Sequence, residues 1–157
     1  MQKLVLSALA LSVALAQPAQ AAPADDAVKA VTAWLDKFNA GDMDAFFAGH
    51  APSPVLVDEF APYVWTGRDA PQTWAQSFER DAKANSITEP RMDHAAPTRA
   101  ESDGKSAYII IPTLYHIKRS GKPMSAKGAM TFVMSHADGS WKIASWTYSA
   151  PAPTPDP

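Results

Sequence analysis

Cysteine is absent from the 157 residues, so a domain of this size would have to stand on its core without disulfides, and no thiolate is there to join a metal site. Long apolar runs are missing too. The longest, Leu4–Ala16, falls short of the roughly 20 residues that cross a bilayer. Basic residues form no cluster: 14 Lys and Arg stand against 16 Asp and Glu, a formal net charge of −2. That balance argues against nucleic acid or an anionic membrane surface as a partner. The four histidines, His50, His94, His116 and His136, show neither H-x-x-x-H nor H-x-H spacing, so no metal is expected. No glycine-rich phosphate loop and no G-x-S-x-G turn occurs, which leaves nucleotide chemistry and covalent catalysis unsupported and implies no cofactor.

The N-terminus reads as an address. Lys3 gives a positive start, Leu4–Ala16 an apolar stretch, and Ala19-Gln20-Ala21 a small-x-small cleavage pattern. Residues 1–21 are therefore expected to be a signal peptide, cleaved after Ala21 to leave a periplasmic or secreted protein. No cysteine follows it to carry a lipid anchor. One domain is expected over 22–149, and the proline-rich 150–157 is expected to be a disordered tail.

Within the domain, Val28, Val31, Leu35 and Phe38 recur on one helical face with Trp34 alongside, and Asp25 and Asp26 suit the positive end of a helix dipole. Asn39-Ala40-Gly41-Asp42 stops that helix, with Gly41 as a left-handed closing residue and Asp42 as cap of a short helix over 43–48. Pro52 and Pro54 interrupt the chain before "VLVDEF", a strand, and "YVWTG", a second short one. Asp69 is expected to cap a third helix that has Pro71 in its first turn and Trp74, Phe78 and Ala82 as its stripe. The period then changes to two. "MDHAAPTRAE" is a weak strand and "SAYIIIPTLYHIK" a strong one, apolar enough for burial on both faces, with Pro112 requiring a bulge or an edge. "KGAMTFVMSH" and "WKIASWTYS" close the chain as a hairpin around "ADGS". Helices followed by a run of strands give an α+β domain.

This order, with "NAGDMDAFF", an acid after the first strand, a helix after "TGRDA" and the closing "DGSWKIASWTYS", resembles the NTF2-like superfamily, and within it the SnoaL-like branch close to ketosteroid isomerases. The resemblance implies a cone: a curved, mostly antiparallel sheet wrapped around three N-terminal helices, holding an apolar pocket and often pairing as a homodimer through the sheet. "DEFAPYVWTG" is similar to exported members of that branch with no known activity. Aligned on the isomerases, Asp58 falls on the catalytic base. The two positions that donate to the enolate oxygen hold Trp34 and Thr131. Loss of one such donor costs about 3 kcal/mol or more, so the resemblance does not carry isomerase activity with it.

Asp58 and Glu59 follow the apolar Val55-Leu56-Val57, and strand alternation should turn one into the cone and the other outward. An inward Asp58 would have a raised pKa and serve as a general base or ligand anchor. The plainer reading is a strand acid capping or paired with Arg68 or Arg91. Trp34, Tyr63, Trp65, Trp74, Tyr115, Trp146 and Tyr148, with Thr131, come from every element around the expected hollow and are candidates for a ligand pocket. Core packing is the plainer reading, and for Trp34 and Phe78 the better one. His116 is either a hydrogen-bonded core histidine or a pocket acid/base. Three functions follow: binding of a small apolar or aromatic molecule without chemistry; a cofactor-free isomerase, dehydratase or cyclase using Asp58; or a pairing module whose interior is filled.

Overall fold

Side chains at the helix ends decide where the chain turns. The computed structural model describes residues 24–156; the expected signal peptide lies outside them. Helix α1 (Asp25–Asn39) carries Asp25 and Asp26 in its first turn and Lys37 in its last, matching its dipole, and buries Val31 and Leu35. At its end Asn39 does more than terminate: its Nδ2 donates to Met92 O and its Oδ1 accepts from Met92 N, both at 2.8 Å. One amide thus ties the helix to a strand more than fifty residues on. Asp42 caps α2 (Met43–Ala48) by accepting from Ala45 N at 3.1 Å. Helix α3 (Ala70–Ala84) has its proline in the first turn, but the side chain of Asp69 makes no capping bond. Its backbone carbonyl instead accepts from Thr73 N and Oγ1.

The strands are β1 (His50–Val57), β2 (Val64–Thr66), β3 (Ile87–His94), β4 (Arg99–Ser102), β5 (Ser106–Arg119), β6 (Lys122–Ala137), β7 (Ser140–Ser149) and β8 (Thr154–Pro155). They form one sheet in the order β2-β1-β7-β6-β5-β3, with β4 also on β5 and β8 on β6. Strands β1 and β7 run parallel; the other pairs are antiparallel. This is the α+β cone, an open curved sheet against three helices. Its core is a continuous cluster drawn from both layers, including Leu35, Phe46, Leu56, Ile109, Phe132 and Ile143. Burying each such side chain fully contributes about 1.5–3 kcal/mol.

The prolines explain where the sheet departs from the sequence pattern. Strand β1 starts at His50, earlier than Pro52 and Pro54 suggest. Its pairing to β7 jumps from His50↔Ile143 to Val55↔Ser145, so the prolines lie in an irregular excursion where no ladder N–H is needed. The weak strand "MDHAAPTRAE" is two strands, β3 and β4. Pro112 faces the break between them: its carbonyl accepts from Ala95 N at 3.0 Å, so its missing N–H points to a gap. Strand β5 is not buried on both faces. Ile109, Ile111 and Ile117 are buried, whereas outward Tyr108 is exposed and Ile110 and Leu114 half-buried.

The segment 150–156 is ordered against β6, contrary to the expected disordered tail. Thr154 and Pro155 pair with Ser125 and Met124. Asp156 N donates to Pro123 O at 3.2 Å, and the Asp156 carboxylate accepts from Ser125 Oγ. Proline-rich chain lacks the residues for a core of its own, but its fixed φ lowers the entropy lost on docking. Gly128 makes room for the docking: a Cβ there would meet Ser149 O at 2.6 Å and Ala150 Cβ at 2.7 Å.

Candidate functional site

Asp58 follows β1 on the row of Leu56, so the alternation that buries Leu56 also turns its carboxyl inward. There it enters a cavity of about 530 Å³ between the helices and the sheet, a size suited to a small organic ligand. Its Oδ2 accepts from Trp74 Nε1 at 2.9 Å and its Oδ1 from the Glu59 backbone N–H at 2.8 Å. Burial pushes its pKa from 3.8 up to about 6, against the pull of those two donors; the charges of Glu59 and Asp81 push the same way. Neither Arg68 nor Arg91 pairs with it: Arg91 is bonded to Asp93.

Glu59 does not simply face solvent. It is exposed, yet it forms part of the cavity's rim and accepts from Ala150 N, where the ordered C-terminal segment starts. Ala152 and Pro153 of that segment complete the wall.

The aromatic candidates divide by what their polar ends do. Trp34 lines the cavity, stacked on Phe46 with centroids 4.8 Å apart, but its N–H is already donated to Phe46 O at 3.0 Å. Trp146 also lines it and donates to His50 Nε2 at 3.3 Å. His50 therefore holds its proton on Nδ1, 3.0 Å from Phe46 O, and stays neutral, burial pushing its pKa down to about 4. These two indoles are fixed as apolar wall. Tyr115 and Tyr148 face the cavity with rings 6.0 Å apart. Burial raises the pKa of both phenols above the ordinary value, and the Asp58 charge acts on each in the same direction. The Tyr148 hydroxyl is buried without a hydrogen-bond partner.

Three candidates do not reach the cavity, and one only borders it. Trp65 is core, donating to Ser77 Oγ at 3.3 Å beneath α3. His116 lies on the even-numbered, outward row of β5 and contacts Asp93 at 3.2 Å. Thr131 is likewise outward, since Met130 and Phe132 take the inward row of β6. Tyr63 sits at the rim, 57% exposed. Conversely, Asp81 and Arg119 line the cavity and escaped notice in the sequence. Both were readable by periodicity: Asp81 is two helical turns on from Trp74, and Arg119 continues the alternate row of Tyr115 and Ile117. The role of His50 was not, because it depends on contact with β7, more than ninety residues away.

Among the described residues no group of three His, Cys, Asp or Glu converges to hold a metal. The chemistry within reach is a carboxyl that exchanges its proton near neutral pH, set among rings in a cavity whose wall also holds an unpaired phenol hydroxyl.

The SnoaL-like domain family is matched over residues 28–153. No curated protein matches the sequence. Among solved structures, the chain is similar to a ketosteroid isomerase-like protein from Erwinia carotovora atroseptica SCRI1043 (TM-score 0.63, 21% identity, covering 82% of this chain and 98% of that one). It is also similar to an NTF2-like protein of unknown function from Pseudomonas putida KT2440 (0.62, 16%, 82% and 86%). A third likeness is to a hexachlorocyclohexane dehydrochlorinase, LinA type 2 (0.66, 13%, 85% and 88%). Identities this low show a shared fold.

Proposed function

This chain belongs to the SnoaL-like domain family, and from that premise we propose that its cavity binds a small aromatic or apolar molecule, anchored by one polar group at Asp58 and Tyr148, without transforming it. The observation that carries this reading is the Tyr148 hydroxyl, buried and unpartnered in the wall of a cavity that Asp58 also enters. A buried polar group without a partner costs about 1–3 kcal/mol, and a ligand that bonds it would recover that energy. Binding is favoured over chemistry because the two positions expected to stabilise an oxyanion do not converge. Trp34 donates to Phe46 O, and Thr131 points out of the cone.

A second reading has its own support. A carboxyl poised at about 6 suits a general base near neutral pH, and Tyr148 would then be the single donor to the developing oxyanion. Isothermal titration with 2-naphthylmethanol, alongside deuterium exchange into 2-tetralone in heavy water, separates the two. Binding with no accelerated exchange supports the binding reading. Exchange that Asp58→Asn abolishes would replace it with the enzyme. Failure to bind any naphthyl probe overturns both and favours the pairing module, against which the volume of the cavity now argues.

The proposal extends to export by cleavage after Ala21 and to a homodimer through the outer face of the sheet, where Tyr108 and Val133 are each 38% exposed. N-terminal sequencing of the mature protein and sedimentation equilibrium test these two points.

A further inference from the structure

The cavity wall is unbalanced in charge. Asp58, Glu59 and Asp81 bring three carboxylates to it, and Arg119 brings one guanidinium, whose buried Nε has no hydrogen-bond partner. No ion pair joins Asp58 to a described cation. Its two oxygens accept only from the neutral N–H groups of Glu59 and Trp74. The groups facing Asp58 from the surrounding elements are Glu59 on its own loop, Trp74 and Asp81 on α3, Tyr115 on β5 and Tyr148 on β7. The charges acting on it are those of Glu59 and Asp81, both negative, while Arg119 acts on Tyr115.

A second feature is independent of that acidity. Tyr148 is only 8% exposed, lines the same cavity, and its hydroxyl has no partner. A hydroxyl oxygen accepts hydrogen bonds as well as donating. Around these groups stand Trp74, Phe78 and Tyr115, whose ring faces carry the negative side of the aromatic quadrupole.

We infer that the occupant of this cavity is an aromatic amine in its protonated form, its ammonium group donating to the Asp58 carboxylate and the Tyr148 hydroxyl oxygen, and its ring lying among Trp74, Phe78 and Tyr115. This rests on the binding reading above and narrows it from an aromatic ligand to an aromatic cation. A neutral aromatic would leave the Asp58 charge without a counter-ion inside an apolar wall. An aromatic anion would meet three carboxylates for one guanidinium. An ammonium group answers both objections with charge-assisted hydrogen bonds and with attraction to the rings.

Three probes of one size test this by isothermal titration of the whole mature chain: 2-naphthylmethylammonium, 2-naphthylmethanol and 2-naphthoate. At pH 8 the ammonium is expected to bind at least about tenfold tighter than the alcohol, the gain of one charge-assisted contact, and the naphthoate more weakly than either. As the pH falls from 6 to 5 Asp58 takes up its proton, so the ammonium should lose up to about tenfold in affinity while the alcohol holds level. In Asp58→Asn, with its fold checked by circular dichroism, the preference for ammonium over alcohol should fall to about one. Glu59→Gln, an exposed position, should reduce the preference a few-fold. The wild-type pH series stands even if Asp58→Asn does not fold.

Equal or tighter binding of the alcohol at pH 8, naphthoate as the best ligand, or an ammonium affinity flat from pH 8 to 5 would each overturn the inference while leaving the cavity a binding site. So would a preference that survives Asp58→Asn. If none of the three probes binds, the binding reading itself falls, and the inference with it.

Discussion

Trp74 Nε1 donates to Asp58 Oδ2 at 2.9 Å, and the same indole forms part of the wall that strips water from that carboxyl. One side chain thus acts on Asp58 in opposite senses: its ring disfavours the charged form, and its N–H favours it. Desolvation wins, and the carboxyl titrates at about 6.

Trp74→Phe separates the two effects, since phenylalanine keeps a ring and removes the donor. A hydrogen bond to a charged group is worth about 1.5–3 kcal/mol, so the Asp58 midpoint should rise by about one pH unit or more. Carbon-13 NMR of the aspartate carboxyl reads this directly. A midpoint that falls would mean that the ring, not the N–H, dominates what Trp74 does to Asp58.

Asp58 and His50 should pull the stability of the protein in opposite directions across the acidic range. Asp58 titrates at about 6 when folded and at 3.8 when fully hydrated, so its contribution is fully present below 3.8 and is lost as pH rises through 6. His50 titrates at about 4 when folded against 6.5, so its contribution is present above 6.5 and is lost as pH falls through 4. Each is worth up to about 3 kcal/mol. Urea unfolding of the wild type should therefore show little net change from these two groups between pH 4.5 and 6. Asp58→Asn should expose a loss of stability on acidification, and His50→Gln a gain. Parallel pH profiles for the two variants would show that the burial of these groups does not govern their titration.

Most of the fold was legible because it is written in local periods. Val31 and Leu35 mark a helix face, Gly41 and Asp42 its end and the next beginning, and the alternating burial of β5 and β7 their strands. That one of Asp58 and Glu59 turns inward was legible for the same reason; which of them does so was left open by the alternation and is decided by Asp58 following Leu56 on the buried row. The errors lie where one residue decides a face. Thr131 holds the position that the family likeness gives to an oxyanion donor, but Met130, Phe132 and Met134 keep an unbroken inward row on β6, so Thr131 faces out; the one-residue shift of the β6–β7 ladder falls on β7, where Ile143 and Trp146 both turn inward. His116 falls beside Tyr115 in sequence and therefore on the opposite face. The ordered tail was invisible to composition, because what holds it is the space at Gly128, the Ser125 hydroxyl and Glu59, all supplied from elsewhere in the chain.

The tail is expected to govern access to the cavity. Ala152 and Pro153 are part of its wall, and the segment is held by Glu59 at one end and β6 at the other. Removing residues 150–157 should speed both association and dissociation of 2-naphthylmethanol, dissociation more, so that affinity falls several-fold in stopped-flow measurements. Gly128→Ala should act in the same direction with the tail present, because its Cβ would come within 2.7 Å of Ser149 O and Ala150 Cβ and force the segment away, at about 1–3 kcal/mol. Unaltered rates in both variants would mean that the ligand reaches the cavity by another path.

Tyr148→Phe should make the protein more stable and worse at its task. The hydroxyl is buried and has no partner, so the folded state bears a desolvation cost of about 1–3 kcal/mol that the unfolded chain, hydrated, does not. Removing one oxygen leaves the ring against Tyr115 and changes the packing little. Urea unfolding should then give a higher midpoint at an unchanged slope, a gain of about 1 kcal/mol. Binding of 2-naphthylmethylammonium should weaken by about fivefold to tenfold, since its ammonium loses one acceptor. A core tyrosine with a satisfied hydroxyl would behave the other way, losing stability on substitution and leaving binding untouched. The two measurements on one variant therefore distinguish a group placed for a ligand from one placed for the fold.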